Sequence, residues 1–387
     1  MRWTITQGVW GETLLRPREP SPAHHTPHFS LKALSVYHKV NRFTKGGIMK
    51  VTIKDVAKLA SVSSATVSKV LNNKPVKKKT EQRVREVIKK LDYQPNLLAK
   101  SFAHRISYHI GVTVSTDALT PVDQFFLIFL QGIMEVATAH SYSVSVVPAL
   151  GSEREEAKLI KDMFRKTMLD GYILTNPYYS PQTFLEFLKL DLPLVVTGRV
   201  PEAIPISTVD ANSGEGIYLA ASHLIALGHR SIVFLSGPKQ YFVCQDRLNG
   251  YLAALRDHQI RSDPSLIKEA DFTFEGGYQA TKEALAALQF TAICACNDAM
   301  AIGALKALQE GGIKIPGQVS VAGYDDLPIS AMVQPALTTV KSPIYQLGKE
   351  AARMLFANLA DRRQIEKLVL PVELVERDSS GAVKVDF

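Results

Sequence analysis

Three cysteines in 387 residues, Cys244, Cys294 and Cys296, cannot build a disulfide framework. Cys294 and Cys296 stand two apart in an apolar run, so on a strand they share one face and do not easily pair. The expected compartment is therefore the reducing cytoplasm. No apolar run reaches the roughly 18–20 residues of a membrane helix. The N-terminus lacks the apolar stretch and small-residue cleavage site of a signal peptide. Also missing are the Walker A sequence, Gly-x-Gly-x-x-Gly, Gly-x-Ser-x-Gly and His-Glu-x-x-His, which argues against the enzyme classes built on them. Cys294-x-Cys296 has no second ligand pair, so no zinc site is expected. The expectation is a protein that is not an enzyme, needs no cofactor or metal, and has no membrane partner.

What is present is an uneven charge. Residues 49–107 carry 14 Lys+Arg against 4 Asp+Glu, whereas residues 108–387 carry 24 against 31. A basic head on an acidic body is the electrostatic footprint of a nucleic-acid reader with a separate second domain. The chain is long enough for two or three domains.

Residues 1–48 show neither a helical nor a strand period, and hold Pro17, Pro20, Pro22, Pro27 and the cluster His24, His25, His28. With no Cys or carboxylate pair nearby, those histidines read as part of a disordered extension, not a metal site. Lys45-Gly-Gly-Ile-Met49 is what a purine-rich ribosome-binding sequence ahead of a start codon would encode. Met49 is thus the expected natural start, with residues 1–48 translated upstream sequence.

The next segment carries the sharpest motif. Thr52 and Asp55 have the spacing of a capping box, followed by Val56, Leu59 and Ala60 at helical intervals. A tight Ser61-Val62-Ser63 turn leads to a second helix over 64–71, with Val67, Val70 and Leu71 inward. That is helix-turn-helix spacing, in which the second helix enters the DNA major groove. Thr80 opens a predicted third helix with Val84, Val87, Ile88 and Leu91 inward, preceded by a basic loop of Lys74 and Lys77 to Lys79. Ser64 and Ala65 fall where base edges would lie; Lys69 has the reach of a guanine or a phosphate. Thr52, Ser63, Thr66 and Ser68 read as phosphate contacts or caps. After Pro95, residues 96–103 form a short conditional helix, with Asn96 as cap and Leu98 and Phe102 at i and i+4. Apolar wedges in such helices kink DNA from the minor groove.

These residues resemble the DNA-binding head and hinge of the lactose-repressor (LacI/GalR) family. The matching text is Thr52-Ile-Lys-Asp-Val-Ala-x-x-Ala60, Val62-Ser-x-x-Thr-Val-Ser-Lys-Val-Leu-Asn72 and Tyr93-Gln-Pro-Asn-x-x-Ala99. The resemblance implies that Asn72, Asn96, Leu98 and Ala99 join the DNA-contacting set. It also implies that two hinge helices fold on the operator and insert a leucine pair. Here that position is Phe102, a departure from the pattern, and the loop over 73–79 is one residue shorter than the common form.

Beyond residue 108, apolar strand-like runs at 110–115, 144–147, 171–175, 193–197, 231–235, 292–295 and 319–322 alternate with helical patterns at 126–140, 153–167, 215–227, 245–258, 278–288, 299–309 and 344–359. Continuous apolar strands separated by helices predict parallel sheets covered on both faces. Two doubly wound α/β lobes are expected, dividing near 200 and again near 325–343, with three crossings and a ligand cleft at the strand carboxyl ends. This part resembles the periplasmic-sugar-binding-type core of the same family, so the full expectation is a small all-α helix-turn-helix head (49–94), a hinge and linker (95–107), a two-lobed periplasmic-binding-protein-like core (108–377) and a tail (378–387).

On loops at strand ends, Arg247 and Asp298 have the chemistry to grip sugar hydroxyls. The family resemblance implies that Phe125, Phe126, Phe272, Arg247 and Asp298 line the effector pocket. The loop Gly237-Pro-Lys-Gln-Tyr-Phe-Val-Cys-Gln-Asp-Arg247, with Tyr241 and Phe242, resembles that of maltose-type regulators. Gly323-Tyr-Asp-Asp326 matches a family text at a lobe crossover and brings Asp325 or Asp326 toward the cleft. Asp210 and Asn212 read as pocket rim or as caps, and His223 and His229 as surface or capping groups. The expected molecule is a homodimeric repressor that binds double-stranded operator DNA under control of a small-molecule effector, a sugar. The alternatives are a purine-type or phosphoprotein-assisted corepressed regulator of the same fold, and a sugar-binding transport protein. The last would need an export signal and no basic head, the reverse of this chain.

Overall fold

The computed structural model describes residues 51–93, 106–115, 124–149, 152–166, 168–175, 179–361 and 364–383. The chain divides into two compact units, Met1–Ala99 and Lys100–Phe387, and each is described by itself.

In the first unit, α1 (Ile53–Leu59), α2 (Ser64–Leu71) and α3 (Lys78–Lys90) close on one small core. Val56, Ala60, Val67 and Val84 are fully buried there, and Val70, Val87 and Tyr93 nearly so. At about 1.5–3 kcal/mol per buried aliphatic side chain, these few contacts supply the cohesion that no helix this short has alone. The capping box forms: the Asp55 carboxylate accepts from the Thr52 N–H at 3.0 Å and from its hydroxyl at 2.7 Å. The turn is tight because Ser61 takes a left-handed φ of 51°. The third helix starts two residues before the predicted Thr80. Backbone bonds from Thr80 and Glu81 to the Lys77 carbonyl bring Lys78 and Lys79 out of the expected loop and into its first turn.

The second unit has two lobes. The first holds a six-stranded, all-parallel sheet in the order β11-β5-β4-β3-β1-β2. Its strands are β1 (His109–Ser115), β2 (Ser143–Ala149), β3 (Gly171–Thr175), β4 (Leu194–Thr197), β5 (Ser207–Ala211) and β11 (Lys367–Leu370). Alternation along the strands feeds two cores. Ile173 and Val195 face one side, with α4 (Phe125–Ala139) and α11 (Ile344–Ala360). Tyr172, Leu174, Leu194 and Val196 face the other, with α5 (Glu153–Arg165) and α6 (Pro181–Lys189). Burial on both faces explains why these strands read as unbroken apolar runs. The helices α4 and α11 approach closely through glycines: a Cβ on Gly132 would lie 2.1 Å from the Tyr345 carbonyl oxygen, and one on Gly348 2.1 Å from that of Phe129.

The second lobe has a four-stranded parallel sheet, β7-β6-β8-β9, built from β6 (Ile232–Ser236), β7 (Ile267–Glu269), β8 (Ala292–Ala295) and β9 (Ser320–Ala322). Around it pack α7 (Ser213–Ala226), α8 (Phe242–Asp257), α9 (Phe274–Ala287) and α10 (Asp298–Glu310). A two-stranded antiparallel ribbon, β10 (Thr339–Lys341) with β12 (Glu373–Val375), lies between returning segments. The chain changes lobes three times, as expected. The first crossing follows β5 and not residue 200, because the polar run 207–211 is a further strand paired with β4 and β11.

Residues 378–383 of the expected tail are part of the second lobe. Ser379 is fully buried and exchanges hydrogen bonds with Val321 and Thr338. His229, expected as a surface or capping group, is 1% exposed and its ring nitrogens meet Thr291, Ser320 and the Gly381 carbonyl, so it ties this segment to the lobe. Burial lowers its pKa, favouring the neutral ring. Among the described residues, no helix is long and apolar enough to cross a membrane.

Candidate nucleic-acid interface and interlobe cleft

In the first unit, α2 is fixed by its two ends. The Ser63 hydroxyl accepts from the Thr66 N–H at 3.2 Å, and the Asn72 side-chain amide donates to the Ser68 carbonyl at 2.9 Å. Val67 and Val70 pin one face into the core. Ala65, Lys69 and Asn72, spaced by four and three residues, are exposed together on the other. Ser64, Thr66 and Ser68 are half-buried flanks of that face, and Thr52 and Ser63 are exposed at the two helix starts. The face carries the Lys69 ammonium and no carboxylate. The Arg85 side chain, paired with Glu81 at 2.9 Å, also donates to the Asn73 side-chain oxygen at 3.1 Å and holds the turn after α2 against α3. Asn96, Leu98, Ala99 and Phe102 lie outside the described residues.

In the second unit, the carboxyl ends of the two sheets meet at one cluster of charges. Gly198, with φ 95°, turns the chain sharply after β4 and presents Arg199. Its guanidinium pairs with Asp246 near the start of α8, which follows β6. Asp210, at the end of β5, sits near Asp246, Arg247 and Arg199. Burial first, and the Asp246 charge second, push its pKa up to about 6. Sequence reasoning missed Arg199 and Asp246. The available signal was an Arg directly after a strand-ending glycine and an Asp directly before Arg247.

Arg247 is 7% exposed. One of its terminal nitrogens donates to the Cys296 carbonyl at 2.5 Å, and the guanidinium lies 4.0 Å from the centroid of the Tyr324 ring. Its Nε is buried with no hydrogen-bond partner. An unmatched donor of this kind costs stability unless a ligand or water meets it.

Tyr241 and Phe272 meet edge to face, with ring centroids 6.0 Å apart. Phe272 reaches this place through a left-handed φ of 69°. Gly237 makes room: a Cβ there would lie 2.5 Å from the Phe272 ring and 2.8 Å from the Cys244 sulfur. Phe242, half-buried, begins α8 beside them. So Tyr241, Phe242, Arg247 and Phe272 gather at one mouth of the second lobe.

The other expected ligand residues have partners within the protein. Asp298 is fully buried. Its carboxylate accepts from the Leu327 N–H at 2.9 Å, the Ser330 hydroxyl at 2.6 Å and the Thr339 hydroxyl at 2.5 Å. It joins the start of α10 to both sides of the second lobe crossing, and burial pushes its pKa up to about 7 against those three donors. The N-cap of α10 is Asn297, whose side chain accepts from the Met300 N–H at 3.0 Å. Asp326, at φ 55°, pairs with Arg377 at 2.5 Å. Phe126 is 5% exposed and packs into the first-lobe core, while Phe125 stacks on Phe129 with centroids 6.1 Å apart. Asn212 precedes α7 as its N-cap position without a side-chain cap bond.

Comparison with known proteins agrees with both units. Residues 52–96 match the family of bacterial regulatory proteins, lacI family, and residues 221–380 match the periplasmic binding protein-like domain. The HTH-type transcriptional repressor PurR of Histophilus somni (strain 129Pt) is 34% identical over 333 residues, covering 85% of this chain and 98% of the relative. The ribose operon repressor of Halalkalibacterium halodurans is 33% identical, covering 85% and 97%. Among solved structures, the lac repressor dimer bound to operator and the anti-inducer ONPF superimposes with a TM-score of 0.76 at 30% identity, covering 86% of this chain and all of that one. The resemblance read from residues 52–99 is borne out: the chain belongs to the lacI family of bacterial regulatory proteins.

Proposed function

We propose that this chain is a cytoplasmic, effector-controlled transcription repressor, not an enzyme, that acts as a homodimer on a near-palindromic operator. The single observation that supports it most is the α2 face. Ala65, Lys69 and Asn72 stand exposed on one side of a helix whose other side is locked into a core. Ala65 offers apolar contact to a thymine methyl, and Lys69 a point charge for guanine or phosphate. Thr52, Ser63, Thr66 and Ser68 set the register through phosphates. Residues 95–107 serve as the hinge, with Asn96, Leu98, Ala99 and Phe102 toward the DNA. Effector binding shifts the balance between two arrangements of the lobes by a coupling of about 1–3 kcal/mol.

The effector is a neutral sugar. Among the described residues, Arg199 at the cleft is paired with Asp246 and Arg247 lies close enough to Asp210 to act on its charge, which disfavours an anionic ligand. The unmatched Arg247 Nε calls for a hydroxyl acceptor, and the Tyr241 and Phe272 faces suit the apolar side of a pyranose. A purine corepressor is the second reading, supported by the similarity to PurR.

Two measurements test this. Lys69→Ala should weaken operator binding and flatten its dependence on log salt by about one unit. Unchanged affinity across a salt series would refute the contact. A thermal-shift screen of maltose, cellobiose, ribose, galacturonate, hypoxanthine and guanine should give its largest rise with a neutral sugar. A rise confined to the nucleobases would replace the sugar reading with the purine one.

A further inference from the structure

Tyr108 is a bulky residue in a backbone conformation that bulky residues avoid. Its φ is 59°, in the left-handed region where Cβ crowds the carbonyl oxygen. It stands directly before β1, where the chain enters the first lobe. Both of its peptide groups are held: the N–H donates to the Asp170 carboxylate at 2.9 Å, and the carbonyl accepts from the Ser143 N–H at 2.9 Å. Such a conformation persists only where the surroundings enforce it.

The ring is held as well. It packs on Tyr142 with centroids 5.5 Å apart and planes tilted by 55°. Tyr142 meets Phe356 edge to face at 5.1 Å, and Phe356 stacks on His140 at 4.1 Å with planes 4° apart. These rings gather two helices onto Tyr108. His140 ends α4, its Nδ1 donating to the Val136 carbonyl at 2.9 Å, and the Tyr142 N–H donates to the Ala137 carbonyl at 2.9 Å. Phe356, 9% exposed, lies near the C-terminal end of α11. The other end of α11 follows closely on β10, where the Thr339 hydroxyl donates to Asp298 at the start of α10. The 17-residue helix, about 25 Å long, thus joins the lobe crossing to the ring stack.

We propose that Tyr108 is a positioning residue for operator binding, and that α11 acts on it through the rings of Phe356 and Tyr142. A shift of α11 against β1 withdraws the support of the Tyr108 ring. The backbone then relaxes to an extended φ, and residues 95–107, the hinge of the proposed function, leave the lobe in another direction. Two discrete backbone states at one residue convert a small displacement at the lobe crossing into a change in operator affinity. This inference rests on the proposed function and deepens it by naming the side chains that carry the coupling.

The test uses the full chain. Exchange of backbone amide hydrogens, followed by mass spectrometry, reads the support of Tyr108 without DNA. Binding is read on two probes: a duplex that the parent chain selects from a random-sequence library, and an unrelated duplex at low salt. Phe356→Leu keeps an apolar side chain and removes the ring. It should speed exchange in peptides covering residues 107–109 and leave those of β6 and β8 unchanged. It should weaken the selected duplex about fivefold or more, with the unrelated duplex unaffected. Tyr108→Gly accepts the left-handed φ without strain and offers the stack no ring to act on. It should show the same loss, and Phe356→Leu should add nothing to it. Tyr108→Phe keeps the ring and should match the parent. Circular dichroism establishes folding, and the variants at half-buried Tyr108 keep the test decisive should Phe356→Leu not fold. Parent-like exchange at 107–109 in folded Phe356→Leu would overturn the proposal. So would equal losses on both duplexes, or parent-like binding of the selected duplex by Tyr108→Gly. A parent chain that selects no duplex would refute the proposed function instead, and the exchange result alone would then decide whether the rings hold Tyr108.

Discussion

The Arg199 guanidinium, just after β4 in the first lobe, is paired with the Asp246 carboxylate, near the start of α8 in the second. The pair spans the cleft. The Arg199 side chain is 58% exposed, so the bond contributes little to stability, on the order of 0–1 kcal/mol. Its effect falls on the relative position of the lobes. Arg199→Ala should lower the unfolding free energy by less than about 1 kcal/mol yet change the radius of gyration measured by small-angle scattering. A scattering profile identical to the parent's would remove Arg199 from any role in lobe position.

Asp210 gives a pH signature. Its pKa is raised in the folded chain to about 6, so the folded state holds a proton that the unfolded state has released. In the window between the ordinary carboxylate value and about 6, stability contributed by this group falls as pH rises, and it is flat above. Asp210→Asn removes the cost of burying the charge. Denaturant midpoints taken from pH 4 to 8 should show the variant gaining on the parent as pH rises, with no gain at pH 4. A pH-independent difference would contradict the burial argument.

Gly250 lets α8 cross α7 at backbone contact. A Cβ at that position would lie 2.0 Å from the Gly214 carbonyl oxygen. Gly250→Ala must push the helices apart, and the overpacking penalty is about 1–3 kcal/mol or more. Urea unfolding should show the loss. At an exposed helix position the same change would instead stabilise, so a more stable variant would mean that the helices do not touch here.

Asp170 clamps the backbone where the proposed hinge segment reaches the first lobe. Its two oxygens accept from the Ser107 N–H at 2.7 Å and the Tyr108 N–H at 2.9 Å. Tyr108 holds a left-handed φ of 59° just after the clamp's first bond. Asp170→Ala frees that backbone, and the preferred operator should then be bound less tightly while non-specific duplex affinity at low salt stays unchanged. Equal loss on both duplexes would point to general unfolding, not to hinge positioning.

Much of this protein was legible before folding. The helix-turn-helix could be read because its signals are local: the Thr52 and Ser63 caps and the valines at helical spacing depend on neighbours within four residues. The parallel strands could be read because burial on both faces leaves continuous apolar runs such as 171–175 and 292–295. Short or polar elements escaped. The strand at 207–211 contains Ser207, Thr208 and Asp210, and only pairing with β4 and β11 makes it one.

The tertiary structure decided what each strand-end residue touches. Asp298 has the residue type of a ligand group, and in the fold its carboxylate also accepts from three donors of the crossing segments. Arg199 and Asp246 are 47 positions apart and become partners only when two sheets point their carboxyl ends at one another. Cys244 and Cys296 come to the same glycine, Gly237, because neighbouring elements of the second lobe converge there. Sequence settles what depends on neighbours in the chain; contacts between residues far apart in it wait for the sheets to assemble.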